Sequence, residues 1–213
     1  MVRRCWVLLL LLFVSSVCFG QMSKPWLIYY GITHFKNSKV GIYHEAQIQD
    51  HILVGLRYTI IPNLLSTVSF GRVHSNIIGT SEMPYNENQI VQELSYGQSV
   101  KNVSIKHRAR IEERFIEDKG FNVRGRYYVG VDIPMSSKGF DKNAFYIALY
   151  DEVFANITPS TTGRILERNR IYAGIGFKMT KDIGWQLGMM NQKIVKNKMA
   201  NQILVSLHHK INW

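Results

Sequence analysis

Almost every stretch of this chain alternates apolar and polar residues with a period of two. That is the spacing of a strand whose successive side chains point to opposite faces. The C-terminal run is the clearest: Ile203, Val205, Leu207, His209, Ile211 and Trp213 share one face, and Gln202, Ser206, His208, Lys210 and Asn212 the other. Val103, Ile105, Ala109, Ile111 and Phe115 oppose Ser104, Lys106, Arg108, Arg110, Glu112 and Arg114 in the same way. So do Phe121, Val123, Tyr127, Val129, Val131 and Ile133 against Asn122, Arg124, Arg126, Tyr128 and Asp132. Further strands are expected at about 26–34, 39–49, 52–61, 65–77, 89–98, 143–156, 166–180 and 183–196. Short turns separate them at Lys36–Lys39, Pro62–Asn63, Gln98–Asn102 and Thr180–Asp182, with longer polar loops at Asn76–Asn88 and Thr158–Gly163. This is the rhythm of an up-and-down antiparallel meander, and no linker divides it into two domains.

The first twenty residues follow a different rule. Arg3 and Arg4 precede a ten-residue apolar core, Cys5–Val14, and small residues lead to Gly20. This is the pattern of a secretory signal peptide, too short to span a bilayer, with cleavage expected after Gly20. A lipoprotein signal ending at Cys18 competes with it, but Val17 occupies a position where such signals want a small residue. Residues 21–213 are then one barrel domain without cysteine, which excludes disulfides and thiolate metal sites. Loss of Arg3 and Arg4 lowers the formal charge from +11 to +9.

The charges decide which face is the core. Arginines recur on the polar face of consecutive strands, and the opposite face is apolar over about five alternate positions. That is close to the roughly 9–11 residues a tilted strand needs to cross a bilayer. Trp26, Tyr96, Phe115, Phe154, Phe177, Trp185 and Trp213 lie near strand ends, where an interfacial girdle is expected. Lipid accepts only structures with every backbone group paired, so the expected fold is all-β, a single closed antiparallel up-and-down transmembrane β-barrel of about 10–12 strands. A secreted soluble β-protein shares the periodicity. Trp213, closing an amphipathic terminal strand, resembles the signal read by the outer-membrane barrel assembly machinery and favours the membrane reading. Eleven candidate segments conflict with the even count of bacterial barrels. Either 26–34 is not a full strand, giving ten, or one more exists, giving twelve.

WLIYYG (Trp26–Gly31), YHEAQ (Tyr43–Gln47), KHRARIEERF (Lys106–Phe115), VRGRYYVGVDIP (Val123–Pro134), ALYDEVFAN (Ala148–Asn156), ERNRIYAGIGF (Glu167–Phe177) and GMMNQ (Gly188–Gln192) occur in this order. Together they resemble the DUF2490 family, outer-membrane proteins of Bacteroidetes-type bacteria. The resemblance implies localisation in the outer membrane of a Gram-negative bacterium. It implies no activity and no catalytic residues.

By parity, Arg108, Arg110, Glu112, Arg114, Arg124, Arg126, Asp132, Glu152, Arg168 and Arg170 point into the lumen, with Glu45, Arg57 and Glu93 from other strands. One reading is structural: opposite charges about 5 Å apart on neighbouring strands pair and fill a narrow interior. The other is a narrow anion-favouring pore, because an arginine excess focuses positive potential. A lipid-modifying enzyme is the third class. His74 and Ser75 are adjacent and so point to opposite faces, and no serine is nominated as partner to a lipid-facing His107. His208 and His209 lack a third ligand at metal spacing. No catalytic residue, metal or cofactor is assigned. The basic balance sits inside strands rather than on a helix, which argues against nucleic acid. The expected partners of this monomer are outer-membrane lipid, lipopolysaccharide near Lys193, Lys196 and Lys198, and the assembly machinery during biogenesis.

Overall fold

The alternation becomes twelve strands in the computed structural model, which describes residues 21–22, 25–48, 50–75, 85–137, 139–158, 165–194 and 198–213. They are β1 (Gln21–Met22), β2 (Trp26–His34), β3 (Val40–Gln47), β4 (His51–Ile61), β5 (Leu64–Ser75), β6 (Tyr85–Val100), β7 (Val103–Ile116), β8 (Gly120–Pro134), β9 (Ala144–Asn156), β10 (Leu166–Lys178), β11 (Ile183–Ile194) and β12 (Lys198–Asn212). The expected signal segment and most of the two long loops lie outside the described residues.

From β2 to β12 each strand pairs antiparallel with its neighbour in sequence, and β12 then pairs with β2 to close an eleven-strand barrel. The closing pair is parallel, running from Leu204 opposite Trp26 to Asn212 opposite His34. β1 lies on the same seam, with Gln21 opposite Ala200. The even count is therefore corrected. Residues 26–34 form a full nine-residue strand, and no twelfth barrel strand is needed. In an up-and-down chain an odd number makes the first and last strands run the same way, so only a parallel ladder can close them.

β2–β3, β4–β5, β6–β7, β8–β9 and β10–β11 are joined at the end that carries Trp213, and β3–β4, β5–β6, β7–β8, β9–β10 and β11–β12 follow each other at the other. Asn37, Lys101 and Asp118 take the left-handed backbone that tight reversals need. The 135–143 connection is nine residues long, which the expected division into short turns and long loops did not include. Phe140 from it packs edge-on against Tyr146, 5.6 Å between centroids.

The two faces of the sheet are inverted relative to a water-soluble protein. Leu56 (66%), Ile52 (62%) and Phe70 (60%) are exposed on the outside, together with Val54, Val68, Leu94, Ile111, Ile175 and Leu207. Glu45, Glu93, Arg110, Glu112, Arg114, Arg124 and Glu152 are buried inside. Phe145, Phe177 and Trp185 do form an outward aromatic cluster. Two members of the expected girdle do not belong to it. Phe154 is 1% exposed and faces inward, because it shares the parity of Glu152 two residues before it, and Trp26 packs against the interior apolar cluster.

Candidate functional site

The interior of the barrel carries the chemistry. Its ionic part is built by register. Arg110 on β7 lies directly opposite Glu93 on β6, Glu112 opposite Arg124 on β8, and Glu152 on β9 opposite Arg170 on β10. Register alone would set Arg110 against Arg126, a repulsive pair, yet Arg126 turns aside to Glu112 (2.6 Å) and Glu152 (2.8 Å).

The pairs extend beyond neighbouring strands. Arg110 Nε and Nη2 both donate to Glu93 Oε2 (2.9 and 2.6 Å), and Nη2 also lies 3.3 Å from Glu45 Oε2 on β3, across the barrel. Glu45 further accepts from the Tyr43 hydroxyl (2.5 Å) and sits 2.9 Å from His51 Nε2. Arg108 reaches Glu152 (2.9 Å), two strands away. Arg124 holds Glu112 (2.5 Å) and Glu167 (3.2 Å), Arg114 holds Glu87 (2.6 Å), and Arg168 holds Glu167 (2.5 Å). Arg57 donates Nε to Thr67 (3.1 Å) and approaches Glu93 only to 3.8 Å. Charge-assisted contacts of this kind fix geometry across several strands at once.

Twelve of the thirteen residues expected to face the lumen thus meet in one cluster. The thirteenth, Asp132, stands apart at the Trp213 end, where it accepts from Lys106 (2.6 Å). Two acidic members were not foreseen. Glu87 falls in a segment read as loop, whereas β6 begins at Tyr85. Glu167 precedes Arg168 and by strict alternation points outward, but a register shift between Leu166 and Arg168 lets both side chains turn in. Among the described residues the cluster contains eight arginines (57, 108, 110, 114, 124, 126, 168, 170) and six glutamates (45, 87, 93, 112, 152, 167).

Phe154 stands at the centre of four guanidinium groups, with Arg126 and Arg170 at 4.5 and 4.6 Å and Arg124 and Arg168 at 5.3 and 5.4 Å from its ring centroid. Cations over an aromatic face are attracted to its quadrupole, so the ring spaces like charges without requiring a carboxylate for each.

On β9–β12 and β2 the lining changes to Tyr146, Tyr172, Met190, Leu204 and Ile28, with Tyr30 and Tyr150 beside them. Tyr150 stacks on Tyr172 at 4.7 Å and meets Tyr128 at 5.1 Å. Glycines opposite make room for these rings. A Cβ at Gly176 would lie 2.0 Å from Tyr146 Cζ, and one at Gly188 would lie 2.4 Å from the Ala173 carbonyl oxygen. The Tyr172 hydroxyl and the side-chain amide of Gln202 are buried without a hydrogen-bond partner.

Between the two walls lies a cavity of about 1360 Å³, lined from Pro62 and Asn63 at one end to Pro25 and Ile48 at the other. The expectation of an interior filled by side chains is modified here. Barrel diameter rises with strand number, and about eight strands already suffice for side chains to fill the inside; eleven leave space.

Among the described residues one histidine meets a serine: His208 Nε2 lies 2.9 Å from Ser206 Oγ, two residues away on β12. His107 bonds Tyr127 (2.9 Å) and Gln98 (3.2 Å) rather than a serine, and His74 contacts Asn86 (2.9 Å). His208 stacks on Tyr30, and His209 meets Tyr29 on the opposite face.

No curated protein and no solved structure matches the chain. Residues 23–202 match the family described as "Protein of unknown function (DUF2490)", and the chain belongs to that family.

Proposed function

We propose that the protein is an outer-membrane β-barrel of a Gram-negative bacterium, with a structural or surface-interaction role and an interior braced by ion pairs. The observation that carries this reading is the inversion of its faces: apolar side chains exposed outside, and arginine–glutamate pairs buried inside. Monomeric water-soluble proteins rarely expose an apolar surface this extensive, whereas a bilayer requires one. In this reading residues 1–20 direct export and are removed, Trp213 is the signal to the assembly machinery at the periplasmic end, and lipopolysaccharide surrounds the opposite end near Lys193. The test is refolding of the purified protein, a heat-shifted gel band to verify the barrel, then planar-bilayer conductance. Bilayer insertion without resolved current steps is the expected result, because most guanidinium groups are engaged by carboxylates.

One observation favours a second reading, a narrow pore for small anions. The cluster has two more arginines than glutamates, and the cavity is lined at both ends of the barrel. Discrete, anion-selective steps would make this the working function, and Arg110→Glu or Arg126→Glu would then change the selectivity.

A further inference from the structure

We infer that the cavity binds a small organic monoanion, its carboxylate held by Arg170 and its apolar body laid along the tyrosine wall.

Like Arg57, Arg170 makes no hydrogen bond to a carboxylate among the described residues, and of the two only Arg170 has two aromatic rings beside it. Its Nε donates to Gln192 Oε1 (2.7 Å), but the nearest carboxylate oxygen, Glu152 Oε2, is 3.7 Å from Nη1, beyond hydrogen-bond reach. Among the described residues Nη1 and Nη2 therefore have no hydrogen-bond acceptor, although the side chain is only 16% exposed. By contrast, Arg110, Arg114, Arg124 and Arg126 each make two or more hydrogen bonds to carboxylates. The Arg170 guanidinium also lies within 4.9 Å of the Trp26 ring centroid and 4.6 Å of that of Phe154. Two aromatic neighbours hold the fork in place and leave one planar edge open, the geometry that receives a carboxylate with two parallel hydrogen bonds.

The surrounding charge sets the class of anion. Glu152 is shared by Arg108, Arg126 and Arg170, so the locality is positive; yet its own oxygens stand close enough to oppose a second negative charge. A monoanion suits that balance better than a phosphate dianion.

The rest of the ligand is defined by the wall beside Arg170. Tyr150 and Tyr128 present rings to the cavity, with Ile28 and Leu204 next to them. Tyr30 and Tyr128 both line the cavity, and among the described residues their hydroxyls have no hydrogen-bond partner, which leaves them available to a polar substituent. The space is larger than the roughly 300–1,000 Å³ typical of small-molecule pockets, so a single-ring acid fits without displacing the wall.

The test is calorimetric titration of the purified protein in non-ionic detergent, after a heat-shifted band verifies the barrel, with phenylacetate, its neutral counterpart phenylacetamide and inorganic phosphate as probes. Phenylacetate is expected to bind at least about tenfold more tightly than either of the others. Arg170→Gln is expected to lose at least about tenfold for phenylacetate, and Arg170→Lys, which keeps the charge but not the fork, a smaller part of that. No phenylacetate binding, equal binding of the amide, or undiminished binding by Arg170→Gln overturns the proposal. Should Arg170→Gln fail to fold, an unchanged affinity in Arg170→Lys overturns the forked carboxylate contact. Phosphate binding as tightly as phenylacetate overturns the organic part. The titration needs a folded barrel but no bilayer, so its failure is distinct from failure of the membrane reading.

Discussion

Glu112 and Tyr172 are equally hidden from solvent, but Glu112 accepts from both Arg124 and Arg126 while the Tyr172 hydroxyl has no partner. They typify the two walls of the interior. On the ionic wall, burial is tolerated only because each charge is answered by others, sometimes from across the barrel. On the aromatic wall, ring shape and the glycines opposite determine the packing, and a few polar atoms are left unanswered. A buried ion pair adds little net stability over an apolar pair of the same size, but removal of one partner is severe because the other charge stays behind. The walls should therefore respond to different kinds of substitution.

The largest effect is expected from Glu112→Gln. It keeps the shape and leaves Arg124 and Arg126 short of a charge, so denaturant unfolding in micelles should show a loss of about 3–5 kcal/mol. A loss below about 1 kcal/mol would mean that the arginines find other partners, and the contrast would disappear. Gly188→Ala addresses the aromatic wall. The added methyl meets the backbone of β10, and a loss of about 1–3 kcal/mol is expected with no change of charge. Lys106→Gln breaks an ion pair too, but the Lys106 side chain is 54% exposed, so the same assay should register less than about 1 kcal/mol, reduced further by salt. Tyr172→Phe should be smallest and of opposite sign. Deleting an unpartnered buried hydroxyl is neutral or stabilising, and a clear loss in melting temperature would show that the hydroxyl is satisfied after all.

Most of the ionic wall was legible in the sequence because a period of two is rigid: once Arg110 faces inward, Arg108, Glu112 and Arg114 must follow. Where that periodicity slips, the reading slips with it. Glu167 was hidden by a register shift, and Glu87 by the polar run around it, which looks like loop until its pairing with Val73 is seen. Phe154 carried the correct signal in its parity with Glu152, but its place near a strand end suggested the girdle instead. The parallel seam was not legible. Eleven segments were visible, but alternation within a strand does not specify which strands close the ring. The cavity was hidden for a related reason, since it depends on strand number together with the directions in which long side chains fold.

The inverted faces are the centre of this account, and paired cysteine labelling tests them most directly. Residues 21–213 contain no cysteine, so Leu56→Cys places a single thiol on the exposed apolar belt, and Ser95→Cys places one beside the cavity. After reconstitution into phospholipid vesicles, a water-soluble maleimide should label Ser95→Cys and leave Leu56→Cys unlabelled until the protein is denatured. Ready labelling of Leu56→Cys in vesicles, with the heat-shifted band present, would mean that the apolar belt faces water and would contradict the account.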